Sequence, residues 1–127
     1  MKKLYISCPM RGRTEDEINK SRDKMHRIAE AVFDQDLELI DPILVYKAPE
    51  SDKIAILNLG ENIKKMADAD YYVGISNWNY KGCSIEREVA ESYGIETYLI
   101  PLRALGIQEY DGPLLYADNQ KVFPEEE

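Results

Sequence analysis

Four short apolar runs separated by stretches of helical periodicity constrain the fold of this chain more than any other feature. Residues 3–8 (KLYISC) end at Pro9, 37–40 (LELI) stop at Asp41-Pro42, 70–75 (DYYVGI) enter a polar loop, and 97–100 (TYLI) stop at Pro101. Their brevity and their Ile, Val and Tyr content suit strands rather than helices. Between the first two runs, Thr14 and Glu17 form a capping box. Ile18, Met25, Ile28, Ala29, Val32 and Phe33 then recur on one face, which predicts a helix over about 15–34. Ile56, Leu59, Ile63 and Met66 predict a second helix from Ser51 or Asp52 to about Ala69, although Gly60 in its middle costs roughly 1 kcal/mol against Ala. A third helix is expected over 84–93, with Gly94 as its C-cap.

The resulting order, βαβαβαβ, implies parallel strands joined by right-handed crossovers. The expected fold is a flavodoxin- or Rossmann-like three-layer sandwich around a mostly parallel sheet of four or five strands. A chain of 127 residues with 44% hydrophobic content supports one domain with one real core. That core should span about residues 3–101, with 102–127 as a C-terminal extension. Residues 43–50 read as a loop that shapes a pocket, 114–123 as a hairpin or an extra edge strand, and the terminal glutamates as a solvated tail.

The net charge of −8 and a pI near 4.7 argue against a duplex nucleic-acid binder, which draws its affinity from clustered Lys and Arg. A small anionic ligand stays open where basic groups are local. No apolar run approaches the ~20 residues that cross a bilayer, and no signal-like segment precedes the first strand, so the expectation is a cytoplasmic protein without membrane partners. Cys8, Cys83 and the single histidine, His26, make no metal-ligand pattern. The thiols read as reduced and packed, and His26 as a surface residue. Neither a metal nor a cofactor is expected.

In open parallel sheets, ligands bind beyond the carboxyl ends of the strands, near the point where strand order reverses. Two strand-to-helix turns therefore matter, SCPMRGRT after the first strand and SNWNYKGCS after the third. The first sets Arg11, Gly12 and Arg13 before a helix N-terminus. There they form an anion cradle, or else the arginines pair with surface acids such as Glu15 and Asp16. The second offers Trp78 and Tyr80, which stack on a planar ligand or cap the core, then Gly82 and Glu86. As an acid in the first helical turn, Glu86 is what dipole stabilisation alone would place there. Ile85 and Val89 shift that balance if they bury the sheet-facing side, leaving Glu86 and the small Ala90 one step round beside the crevice. A carboxylate held there acts as nucleophile or general base.

These residues resemble the nucleoside 2-deoxyribosyltransferase superfamily. LYISCPMRGRTED is similar to the family's first strand and loop, especially in the 2′-deoxynucleoside 5′-monophosphate N-glycosidases. ADADYYVGISNWNYKGCSIEREVAESYGIETYLI is similar to its aspartate, strand, loop, Gly-x-x-x-Glu, helix pattern and to phage-associated members of unassigned role. The likeness covers about residues 3–100. It implies that Glu86, four residues after Gly82, is the nucleophile and that Tyr5 orients its carboxylate. Ser7, Arg11, Gly12, Arg13, Trp78, Gly82 and Asn62 would line the substrate site, with the arginine turn on a 5′-phosphate. Two departures stand out. Asn62, which cannot donate a proton at neutral pH as an acid would, occupies the place of the family's assisting acid, with Glu61 and Asp68 as possible substitutes. Tyr80, Lys81 and Gly82 occupy the loop where the family has another acid. The resemblance also implies a homodimer or higher homo-oligomer, and a non-catalytic nucleotide-binding protein is the alternative reading.

Overall fold

A computed structural model describes residues 1–44 and 50–109. The region 114–123 and most of the loop expected over 43–50 lie outside these residues. Strands β1 (Lys3–Ile6), β2 (Glu38–Leu39), β3 (Tyr71–Ile75) and β4 (Glu96–Ile100) alternate with helices α1 (Glu15–Phe33), α2 (Asp52–Met66) and α3 (Lys81–Ser92), and a short 3₁₀ turn follows at Leu102–Leu105. The strands form one parallel sheet in the order β2-β1-β3-β4. This is an α/β, Rossmann-like arrangement. The order reverses between β1 and β3, which pair through Leu4–Tyr71, Tyr5–Tyr72 and Ile6–Val73.

Period-two alternation sends each strand's side chains into two separate cores. Leu4, Ile6, Val73 and Ile75 pack with Ile18, Met25 and Ala29 of α1. Tyr5 and Tyr72 point the other way, into a smaller cluster with Met66 of α2 and Ala90 of α3. Helix α1 thus covers one face of the sheet, and α2 and α3, which pack on each other, cover the opposite face.

Local chemistry fixes the helix ends. The Glu17 N–H donates to Thr14 Oγ1 at 3.2 Å and the Thr14 N–H to Glu17 Oε1 at 2.9 Å, completing the capping box. At the other end of α1, Asp34 is left-handed (φ 55°) and the Gln35 N–H reaches the Glu30 carbonyl at 3.2 Å. Helix α3 closes the same way, with Gly94 at φ 78° and the Ile95 N–H on the Ala90 carbonyl at 2.9 Å.

Several boundaries differ from the sequence expectation. Helix α2 ends at Met66 because the N–H groups of Ala67, Asp68 and Ala69 bond three residues back, tightening the last turn. Strand β1 ends at Ile6, although the Ser7 N–H still donates to the Val73 carbonyl at 2.9 Å. The 3₁₀ turn after Pro101 has no sequence counterpart, since four residues (LRAL) are too few to show a period, yet it buries Leu102 against the α1 core. His26 is half-buried rather than a free surface residue. Its Nε2 lies 3.0 Å from the Leu37 carbonyl and 3.2 Å from Glu30, and Glu30 also accepts from the Leu37 N–H at 2.8 Å. Together the two side chains fasten α1 to the entry of β2.

Asp34 carries a Cβ in a region that favours glycine. Asp34→Gly should therefore raise stability in urea denaturation by about 0.5–1 kcal/mol, whereas Gly94→Ala should lower it by a similar amount.

Candidate active site

Tyr5 and Ser7 lie two residues apart on β1 and its continuation, so both side chains emerge on the α2/α3 face. There the Tyr5 hydroxyl donates to Glu86 Oε2 at 3.0 Å and the Ser7 hydroxyl to Glu86 Oε1 at 2.7 Å. The two contacts join residues 81 and 79 positions apart in the chain. All three side chains are withdrawn from solvent, with Tyr5 and Ser7 each 1% exposed and Glu86 7% exposed.

The setting of Glu86 differs from the sequence expectation in two respects. Helix α3 begins at Lys81, so Glu86 occupies its second turn and no acid lies in its first. The N-cap is Tyr80, without a side-chain cap. Ser84, the residue that looks like a helix start, instead donates its hydroxyl back to the Trp78 carbonyl at 2.6 Å. The side of α3 that faces the sheet carries Cys83, Glu86 and Ala90, while Ile85 and Val89 are only partly buried. Glu86 is therefore on the packed face and not one step round from it, so it does not serve as an N-terminal dipole partner.

Tyr72 completes the floor. Its ring is parallel to that of Tyr5, with centroids 6.1 Å apart and planes within 5°, and its hydroxyl donates to the Cys83 carbonyl at 3.4 Å. Gly74 makes room for it, because a Cβ there would lie 2.7 Å from the Tyr72 ring and hydroxyl. Burial and then the Glu86 charge drive both phenols far above their ordinary range, so both remain protonated donors. The buried thiol of Cys8 is pushed up to about 12, the Arg13 and Arg22 guanidiniums offsetting only part of the cost of burial. Cys83 rises for the same reason, with Glu86 adding to it. Both cysteines are free and buried.

The arginine turn has a well-defined internal structure. Gly12 adopts φ 75° within a turn closed by the Arg13 N–H on the Met10 carbonyl at 3.1 Å. Arg13 folds back along α1, donating Nη1 to the Pro9 carbonyl at 3.1 Å and Nη2 to Ser21 Oγ at 2.8 Å and the Glu17 carbonyl at 3.3 Å. Its guanidinium holds the loop to the helix. Arg11 is half-buried in the same turn.

Asn62 is buried on α2, and its carboxamide bonds the Ile43 backbone in both directions: Oδ1 accepts from the N–H at 2.7 Å and Nδ2 donates to the carbonyl at 3.0 Å. A carboxylate there would lose the donating half of this clamp. Gly82 falls in the first turn of α3. Trp78 is 46% exposed, and the Arg87 guanidinium carbon sits 3.6 Å from the centroid of its ring. Tyr80 is buried in the α1-side core, which fits its core-capping reading. Tyr72 and Arg87 escaped the sequence reading. The strand period places Tyr72 on the same face as Tyr5 and signals its role, but nothing in the sequence pairs Arg87 with Trp78.

No protein-family model, curated protein or solved structure matches the chain. Among the described residues no helix is long and apolar enough to cross a membrane, and no group of three or more His, Cys, Asp or Glu is placed to hold a metal ion.

Two outcomes follow from the buried site. The thiol of Cys8 and the phenols of Tyr5 and Tyr72 hold their protons longer in the folded than in the unfolded chain. Their contribution is intact below the unfolded values, about 8.5 for Cys and about 10 for Tyr, and is lost as pH rises beyond them. The urea midpoint should accordingly fall from about pH 9 upward; Cys8→Ala should make the first part of that fall shallower, and only Cys8→Ala combined with Cys83→Ala should move its onset toward the tyrosine range, since the buried Cys83 thiol is raised as well. Separately, Gly74→Ala must displace the Tyr72 ring and should destabilise the fold by about 1–3 kcal/mol, measured by denaturant titration.

Proposed function

We propose that the protein cleaves or transfers at the N-glycosidic bond of nucleosides, ribo- or deoxyribo-, or of their 5′-monophosphates, with Glu86 as nucleophile. The observation that carries this reading is the buried Glu86 carboxylate held on each oxygen by a hydroxyl of the first strand, at the carboxyl end of a parallel sheet where strand order reverses. Burying an ionisable group has a desolvation cost that an apolar residue at this helix position would avoid, so a carboxylate kept here is a candidate for use. The resemblance to nucleoside deoxyribosyltransferases adds the substrate class.

In this reading a Glu86 oxygen attacks the anomeric carbon as the C–N bond breaks. The departing base takes the bonding electron pair and a proton from solvent, which the attacking water or second base later returns. Water, or a second base, then attacks the same carbon, the ester C–O bond breaks, and the carboxylate is restored with net retention of configuration. Tyr5 and Ser7 are positioning residues that fix the carboxylate in one orientation. Arg11 and the turn around Gly12 would meet a 5′-phosphate, with a cytoplasmic location and a homo-oligomeric state as part of the proposal.

The alternative, a nucleotide-binding protein without turnover, is favoured by one observation. Asn62, standing where the resemblance expects an assisting acid, is engaged with the Ile43 backbone. Chromatography of free base, after incubation with a panel of nucleosides and nucleotides, separates the two. Glu86→Ala should abolish base release, and Tyr5→Phe and Ser7→Ala should each lower kcat by about 10–100-fold with little change in KM, the pattern of lost positioning. Equal release by wild type and Glu86→Ala would refute the catalytic assignment. Nucleotide binding in calorimetry without any release would establish the alternative.

A further inference from the structure

Trp78 is exposed and yet held from several directions. It belongs to the loop that follows β3, at the carboxyl end of the sheet. Its carbonyl accepts the Ser84 hydroxyl at 2.6 Å, and its ring lies against the Arg87 guanidinium at 3.6 Å. Arg87 is itself fixed. Its side chain is only 15% exposed, Nη1 donates to the Ser76 carbonyl at 3.3 Å and Nε lies 3.5 Å from Glu91 Oε2. The same loop is further set by the Asn79 N–H donating to Asn77 Oδ1 at 2.8 Å and the Ser76 N–H to the Ile100 carbonyl at 3.0 Å. The outcome is an indole that leaves 46% of its area in solvent while its loop and its cationic backing are tied to α3 and β4.

Single exposed apolar side chains are ordinary on a protein surface, so the exposure of Trp78 matters here only together with its fixed orientation. The guanidinium lies against the ring face, a contact whose gain is of order 0.5–2 kcal/mol, and it restricts the ring to one orientation. A ring fixed in this way loses little further freedom when a second flat group stacks on its open side.

We propose that Trp78 is a stacking platform for the base of the ligand, that Arg87 is the positioning residue that keeps it in place, and that the platform ranks purine above pyrimidine bases. The ranking follows from area, since stacking reads the π-face and not the polar edge of a base, and a purine covers more of an indole than a pyrimidine does. Arg87 follows Glu86 directly on α3, so the element that holds the carboxylate also holds the platform. This proposal rests on the nucleotide-site reading for its ligand class, but not on turnover.

Trp78 is the only tryptophan of the chain, so its emission on excitation beyond the tyrosine band reports this position alone. Titration of the full chain with deoxyadenosine and deoxycytidine monophosphates should quench it saturably, the purine at a severalfold lower concentration, while inorganic phosphate leaves it unchanged. Arg87→Met should weaken purine binding by about 3–10-fold and alter the emission of the free protein, with Arg87→Lys recovering only part of both, because an ammonium has no flat face to lay on the ring. Ser84→Ala, which frees the Trp78 carbonyl, provides a second variant should Arg87→Met fail to fold, and is expected to weaken binding in the same direction. Trp78→Leu in calorimetry should lose the purine preference. Equal affinity of wild type and a folded Arg87→Met for the purine nucleotide, equal affinity for both nucleotides, or no quenching by either, would overturn the platform. Base release by the wild type provides the separation from the glycosidase reading: quenching by the purine nucleotide is expected whether or not free base appears. Quenching that persists where no variant or wild type releases base supports the platform and rejects turnover alone.

Discussion

The contact on which this structure depends is the pair of hydroxyl hydrogen bonds from Tyr5 and Ser7 to Glu86. It links the first strand to the third helix over the smaller of two cores, and it does so with a group that gains nothing from burial itself. A carboxylate at 7% exposure is tolerable only where its oxygens find donors, and β1 supplies two at the spacing that a strand allows on one face. The layer around it follows from the same demand. Tyr5 needs a flat neighbour, which Tyr72 provides, and Tyr72 needs the missing side chain at Gly74. One buried charge thus dictates residues on two strands and a helix.

The parallel order was legible because three of the four strand runs end at a hard stop and helical periodicity separates them. Pro9, Asp41-Pro42 and Pro101 mark the strand exits, and the Thr14-Glu17 box marks one helix entry to the residue. Entry to α3 was harder. Gly82 and Ser84 both look like punctuation, whereas the helix runs through them from Lys81 with Ser84 turned back to Trp78. Three residues of error at the start moved Glu86 from a first-turn acid to a second-turn residue and rotated the assumed packed face from Cys83-Glu86-Ala90 to Ile85-Val89. The position of the carboxylate near the strand ends was readable, but its burial was not, because an acid at a sheet-facing position contradicts the hydrophobic pattern from which faces are inferred.

Long-range polar contacts were the other blind region. Arg13 has the composition of an anion ligand, yet much of its donor capacity goes to Pro9, Glu17 and Ser21, which no spacing rule connects to it. Asn62 looked like a degraded catalytic position, but its two-way bond to Ile43 shows an amide doing what an acid cannot, since only an amide both donates and accepts. Arg13 ties the loop that leaves β1 to α1, and Asn62 holds the backbone that follows β2, so both act at the rim formed by the carboxyl ends of the strands.

The rim and the floor also divide the charges of the site. The Arg87 guanidinium is directed to Ser76, Trp78 and Glu91, while the donors on Glu86 from β1 are neutral hydroxyls. A guanidinium in the place of Ser7 would make stronger, charge-assisted bonds to the carboxylate. Hydroxyls orient it, and their own burial keeps Tyr5 and Tyr72 protonated beside the negative charge. A buried guanidinium would also carry a desolvation cost of its own, which neutral hydroxyls avoid. The first strand therefore holds the carboxylate in one orientation with two neutral donors and brings no second charge into the smaller core.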